Sequence, residues 1–324
     1  MATFTQSERL RPAALRPGDT IGIIAPAGPI EPDAMEAGCA WLRDRGYQPF
    51  YLPSILDRDS YFAGSTARRL DEFHQMFARP EVKAIICARG GYGCNYLLPH
   101  IDLNVVQANP KIFCGCSDVT TLLTYLCDAA RMVTFHGPML NIDVRPDGVD
   151  EESWAAAMTS GEAYQMEFGN DEVQTLVPGS AEGMLYGGCL SLLCASLGTP
   201  YEIETRGTIL FLEDLAEPAF RIDRMLMHLK LAGKFDGVRG VIFGEMLNCG
   251  PRDPQDYSLQ QVVQRVLGDL GVPMAYGLKS GHVSRGNITL PLGVATQFTA
   301  GANVSLRFEA AVKREFAKVP VSRP

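Results

Sequence analysis

The side chains of this sequence that could do acyl chemistry are the hydroxyl of Ser117, the imidazoles of His282 and His136, and the carboxylates of Glu213, Asp214 and Glu217, at glycine-flanked turns or strand ends. Ser117 stands in Lys-Ile-Phe-Cys-Gly-Cys-Ser-Asp-Val-Thr (111–120), where a short apolar strand breaks into a helix. A serine is a weak nucleophile until the backbone presents it and a base takes its proton. A strand-to-helix elbow does the first job, lifting the hydroxyl clear of the sheet beside unpaired helix N–H groups. Val119, Leu122, Leu123 and Leu126 recur at i, i+3, i+4 and i+7, as a helix with one buried stripe requires. Asp118 puts negative charge at the helix start, where the dipole favours it, and its N–H can meet an oxyanion. Cys116 competes as a thiol nucleophile, but adjacent residues on an elbow point different ways, and the helix start favours position 117. The plainer alternative is that Ser117 simply caps the helix. A catalytic role therefore needs a base from elsewhere.

His282 is one candidate base. It lies in Lys-Ser-Gly-His-Val-Ser-Arg-Gly-Asn (279–287), without the apolar periodicity of a core histidine, and a histidine titrates near neutrality. His136, before Gly137-Pro138, competes for that role and reads otherwise as part of the site floor. Glu213 ends the strand Gly-Thr-Ile-Leu-Phe-Leu (207–212) and clusters with Asp214 and Glu217 where the strand is expected to open to solvent. One of these carboxylates can orient a histidine; alternatively they are solvated, or paired with Arg221 and Arg224. The loop Arg89-Gly90-Gly91-Tyr92-Gly93 leaves an apolar strand at the end where open α/β sheets bind ligands. Its glycines admit a phosphate or an oxyanion, or serve only a tight turn. Dinucleotide spacing is absent and no Gly-Lys-Ser/Thr follows, which excludes a nucleotide loop.

The elements that must position these groups alternate. Strands are expected at 20–24, 48–52, 82–88 and 132–135, with helices at 33–45 and 65–78; such a rhythm implies a parallel sheet with helices on both faces. Residues 141–180 are rich in Asp, Glu, Gly and Pro and read as a linker with a short helix near 151–160. Beyond it, strands are expected at 183–186, 208–212 and 240–243, an apolar helix to about 197, and helical stripes through Ile222–Leu229 and Leu259–Leu270. A hairpin turns at 299–303. The expected division is a 1–150 α/β domain, a 151–180 linker and a smaller 181–324 α/β domain rich in β-structure.

A net charge of −8, with no basic run, excludes nucleic acid or an anionic membrane surface as the main partner. Nine cysteines lack Cys-x-x-Cys spacing, and several (Cys87, Cys114, Cys127, Cys194) lie in apolar stretches, as reduced thiols do. The opening residues lack the apolar core of a secretion signal, and no run reaches membrane-spanning length. A cytoplasmic protein is expected. The histidines at 74, 100, 136, 228 and 282 have no metal-ligand spacing, so neither a metal nor a cofactor is expected.

Several runs together resemble the LD-carboxypeptidase family of serine peptidases, which includes muramoyltetrapeptide carboxypeptidases and microcin immunity peptidases. They are Pro-Gly-Asp-Thr-Ile-Gly-Ile-Ile-Ala-Pro-Ala-Gly (17–28), Ala-Arg-Gly-Gly-Tyr-Gly (88–93), Gly-Cys-Ser-Asp-Val-Thr (115–120), Phe-His-Gly-Pro-Met (135–139), Gly-Gly-Cys-Leu-Ser-Leu-Leu (187–193), Leu-Phe-Leu-Glu-Asp (210–214), Arg-Ile-Asp-Arg-Met-Leu (221–226) and Gly-His (281–282). The resemblance spans nearly the whole chain in order. It implies Ser117 as nucleophile, His282 as general base, Glu213 as its orienting carboxylate, and the N–H groups of Gly91 and Asp118 as oxyanion donors. It also implies a murein peptide substrate, release of a terminal D-amino acid and a homodimer. Arg89 and Arg285 are candidates for the substrate carboxylate, with Gly90 and Tyr92 beside them. Cys116, the segment Cys94-Asn95-Tyr96 and the segment Val283-Ser284-Arg285 depart from the family pattern around that pocket. Cleavage of peptidyl or aminoacyl adenylates is the rival activity, and a non-catalytic ligand-binding protein the rival class.

Overall fold

Short apolar strands separated by amphipathic helices pair in parallel, because each crossover returns the chain to the same end of the sheet. The computed structural model describes residues 9–314; the opening eight residues and residues 315–324 of the expected C-terminal domain lie outside that range. The first half runs β1 (Thr20–Ile24), α1 (Pro32–Asp44), β2 (Gln48–Phe50), α2 (Thr66–Ala78), β3 (Val82–Cys87), α3 (Leu103–Ala108), β4 (Ile112–Gly115), α4 (Thr120–Asp128), β5 (Thr134–His136), α5 (Leu140–Asp143) and α6 (Glu151–Met158). The second runs β6 (Tyr164–Gly169), β7 (Gln174–Val177), β8 (Gly179–Cys189), α7 (Leu190–Ala195), β9 (Thr208–Glu213), α8 (Ala219–Leu231), β10 (Gly240–Gly244), α9 (Leu259–Leu267), β11 (Met274–Leu278), β12 (Leu290–Leu292), β13 (Ala295–Ala300) and β14 (Asn303–Phe308).

One sheet has the order β12-β5-β4-β3-β1-β2, parallel except for β12 against β5. The winding direction reverses between β1 and β3. Right-handed crossovers on either side of that reversal put α1 and α2 on opposite faces, and the crevice at the strand ends is where such sheets bind ligands. The loops leaving β1 and β3 meet there, with the Gly28 N–H donating to the Gly90 carbonyl at 3.0 Å.

The other sheet has the order β6-β14-β13-β8-β9-β10-β11-β7, with β8 to β11 parallel and both flanks antiparallel. Segment 151–180 therefore does more than link. It carries the expected short helix, and it also supplies β6 and β7, the two edge strands of this sheet. The first sheet likewise borrows β12 from the second half.

The period of two along β9 decides which way Glu213 faces. Ile209 and Phe211 join the core shared with the first sheet; Leu210 and Leu212 join the core formed with α7, α8 and α9. Glu213 continues the odd series and so turns toward the first sheet. Among the described residues, no helix is long and apolar enough to cross a membrane.

Candidate active site

The elbow is sharper than a simple helix start. β4 ends at Gly115, Cys116 is extended (φ −150°, ψ −168°), and Ser117 takes φ 60°, a left-handed conformation that a residue with a side chain adopts only at a cost. A single 3₁₀ turn over residues 117–119 follows before α4 begins. Its first bond runs from the Val119 N–H to the Cys116 carbonyl at 3.1 Å, so the N–H groups of Ser117 and Asp118 precede the ladder. Ser117 is half-buried and its neighbour Cys116 wholly buried. Burial, followed by the charge of Asp143, pushes the Cys116 thiol well above its ordinary range, so it has neither access nor thiolate character.

Around the elbow the glycine loop is held tightly. A side chain at Gly90 would stand 2.7 Å from Ser117 Cβ and 2.9 Å from its Oγ. Asp118 is buried, and its Oδ2 accepts the Cys94 N–H at 2.8 Å. Arg69, also buried, donates to the Pro26 and Gly93 carbonyls at 2.7 and 2.8 Å. Loop 89–94, with Gly91 at its exposed tip (φ 113°), is thereby pinned to the elbow from both sides. The sequence reading assigned Asp118 only a backbone N–H and a dipole; its carboxylate also fixes the facing loop.

Glu213 does not open to solvent as expected. It and Asp214 are buried, at 0% and 4% exposure: loop 279–287 covers Glu213, and Asp214 accepts the Ser191 N–H at 2.9 Å. Glu217 instead faces Arg221 at 3.4 Å. Glu213 Oε2 receives His282 twice: the ring Nδ1 lies at 2.8 Å and the backbone N–H donates at 3.2 Å. Asn287 closes that loop, accepting the Gly281 N–H and donating to its carbonyl, both at 3.0 Å. His136 sits within β5 rather than after it, beneath the pair, with Nε2 3.7 Å from Glu213 Oε1.

Burial alone would raise the Glu213 carboxyl, but His282 and His136 beside it hold it at about 2. Burial alone would lower His282; the Glu213 charge and hydrogen bond outweigh it and raise the imidazole above its ordinary 6.5. A base must be neutral to accept a proton, so kcat/KM should rise with pH through an acid limb whose midpoint lies above 6.5. Stability follows the opposite sign for the two groups. The raised His282 contributes fully below 6.5 and loses its contribution as pH climbs through its folded value. The depressed Glu213 contributes above 4.5, and that contribution disappears as pH falls toward about 2. A pH–rate profile with its acid limb below 6 would contradict the coupling of His282 to Glu213.

The geometry thus joins His282 to Glu213 and sets Ser117 on its elbow; among the described residues Ser117 and His282 share no direct hydrogen bond. The elbow and the pair meet through the sheet instead: Gly115 lies opposite His136 in the β4–β5 register. The Thr120 hydroxyl also accepts the Cys189 N–H at the end of β8, at 3.1 Å. Arg89 donates through Nη1 to the Pro29 carbonyl at 3.0 Å. Tyr92 is exposed within a cluster of Tyr61, Phe62 and Tyr96 that sequence reading did not single out, since Tyr61 and Phe62 lie far away in the chain. Arg285 lines a separate cavity of about 340 Å³ with Lys279, Asp147 and Glu172, and no member of the Ser117, Glu213, His282 set lines it.

Residues 21–137 match the model of the LD-carboxypeptidase N-terminal domain, and residues 182–298 that of the C-terminal domain. The chain belongs to the LD-carboxypeptidase family. It is a serine-type carboxypeptidase. The probable murein peptide carboxypeptidase of Bacillus subtilis (strain 168) is 39% identical over 286 residues, covering 87% of this chain and 89% of that protein. Among solved LD-carboxypeptidase relatives, the muramoyltetrapeptide carboxypeptidase of Oxalobacter formigenes superposes with a TM-score of 0.82 at 28% identity, over 91% of this chain and all of that one. The microcin C7 self-immunity protein MccF, in complex with aspartyl sulfamoyl adenosine, superposes at 0.84 and 27% identity, over 94% of this chain and all of MccF.

Proposed function

We propose that this carboxypeptidase hydrolyses the amide between an L-centre and the terminal D-alanine of murein tetrapeptides, in the cytoplasm and as a homodimer, during recycling of wall peptides. The observation that carries the reading is the hydrogen bond between buried Glu213 and partly buried His282, together with a serine held on a strained elbow of the neighbouring sheet. His282 takes the Ser117 proton as Oγ attacks the carbonyl, and Glu213 holds the ring by Nδ1 and stabilises the imidazolium. The N–H groups of Gly91 and Asp118 receive the oxyanion, each contributing on the order of 3 kcal/mol. His282 then returns the proton to the leaving amine, and water repeats the sequence on the acyl-enzyme. No cofactor takes part.

The names of the Bacillus and Oxalobacter relatives favour murein peptides. The likeness to MccF with its sulfamoyl adenosine ligand supports a second reading, cleavage of aminoacyl adenylates. Mass spectrometry of products from a mixed murein peptide pool separates them. Loss of one D-alanine from tetrapeptides is expected, with little inhibition by an acyl sulfamoyl adenosine at equal concentration. An unchanged pool, or turnover only of the adenylate, would overturn the murein reading.

A further inference from the structure

His136 has no exposed surface, and each of its ring nitrogens faces a group from the second half of the chain. Nδ1 lies 2.9 Å from the Ser280 hydroxyl, and Nε2 lies 3.7 Å from Glu213 Oε1. Among the described residues neither Nε2 nor Oε1 has a hydrogen-bond partner, whereas Oε2 has two from His282. Two buried polar atoms left single would each cost free energy, and here they face one another just beyond bonding distance. Only one tautomer makes that approach attractive. A lone pair on Nε2 would meet the lone pairs of the carboxylate, whereas an Nε2–H points a donor at them and leaves Nδ1 to accept from Ser280. Phe211 braces the ring edge-on at a 5.2 Å centroid separation. Gly281 makes room, since a side chain there would lie 2.7 Å from both Glu213 Cδ and His136 Cε1.

We propose that His136 is a positioning residue of the hydrolytic site: the Glu213 carboxylate selects its Nε2–H tautomer, the Ser280 hydroxyl donates to Nδ1, and the Nε2–H aimed at Glu213 Oε1 keeps Oε2 facing His282. The inference rests on the reading of Glu213 and His282 as acid and base given above. It also assigns a register. Because His136 pairs with Gly115, two residues before Ser117, it ties the carboxylate to the sheet that carries the nucleophile. Losing it lets the Glu213–His282 pair drift relative to Ser117, and misplacement by about 1 Å can cost 100-fold in rate.

The test compares His136→Leu, His136→Gln and Ser280→Ala with wild type in kcat and KM on a D-alanine-terminated tetrapeptide, together with thermal unfolding. His136→Leu is expected to lose about 100-fold in kcat with KM within about twofold. His136→Gln, whose amide N–H can reach the place of Nε2–H, should recover about tenfold of that loss. Ser280→Ala should fall between wild type and His136→Leu. A merely structural residue would lower the melting temperature in both His136 variants without separating them in kcat, and that result overturns the inference. Two readouts need no murein substrate: the rate at which a small fluorophosphonate labels Ser117, and the ¹⁵N shifts of the His136 ring. If wild type leaves all murein peptides untouched yet His136→Leu slows labelling and the ring is Nε2-protonated, the substrate reading falls and the positioning role stands. An Nδ1-protonated ring, or labelling at the wild-type rate in His136→Leu, ends it.

Discussion

Ser117→Ala should lower kcat on a tetrapeptide by about 10⁴-fold or more while KM stays close to wild type, because the hydroxyl acts in bond making and not in holding the ground state. Ser117→Gly should be equally inactive, yet it separates the two properties of the elbow. At φ 60° any side chain is strained by about 1 kcal/mol, and glycine is not. The glycine variant should therefore unfold at a higher temperature than the alanine variant, the reverse of their order in regular structure. Differential scanning calorimetry of both variants beside a tetrapeptide assay reads the two effects at once. Turnover near wild type in Ser117→Ala removes Ser117 from the mechanism; an alanine variant more stable than the glycine one removes the strain.

Glu213→Gln should lower kcat by about 10³ to 10⁴, since an amide cannot hold an imidazolium as a carboxylate does. The isostere also meets donors on both sides: His282 supplies two N–H groups to one oxygen, and His136 stands beyond the other. The amide nitrogen must turn toward one of them. With the charge gone, the cause that raises His282 is gone too, so the acid limb of kcat/KM should move to lower pH than in wild type. Glu213→Ala should in addition destabilise the fold by about 3 kcal/mol, by removing the buried carboxylate that accepts from both the ring and the backbone of His282. A Glu213→Gln enzyme retaining a tenth of wild-type kcat, or an acid limb that does not move, would dismiss Glu213 as the orienting acid.

Much of this was legible in the sequence because burial is periodic where burial is complete. β1 begins and ends where its apolar run does, α2 follows its Ser65 cap, and Ser117 is marked by the break between an apolar strand and a 3.6-residue stripe. Three strands escaped notice; β6 and β7 are the two edges of their sheet, and an edge strand is half-solvated and therefore carries the Glu, Gln and Gly that read as linker, while β11, Met-Ala-Tyr-Gly-Leu, is short and interrupted by glycine. β12 is only three residues long, and nothing local tells a chain segment that its partner is β5 in the other sheet. For the same reason Glu213 looked solvated. Its own neighbours are polar, and the loop that covers it comes from residues 279–287, far along the chain. Residue types disclosed the chemistry, His136 as part of the site floor included; long-range pairing decided which carboxylate is dry and which arginine is already engaged.

β12 has a mechanical corollary. The segment bearing His282 leaves β11 in one sheet and enters β12 in the other, so it is anchored to one sheet at each end. Any hinge opening between the halves must pull on that strap and swing the imidazole with it. Gaping of the cleft and withdrawal of the proton acceptor would then be one motion, geared through the eleven residues 279–289. A gene split after residue 150 would leave that strap whole but part β12 from β5, a naked edge inviting clumping where the intact chain has a partner.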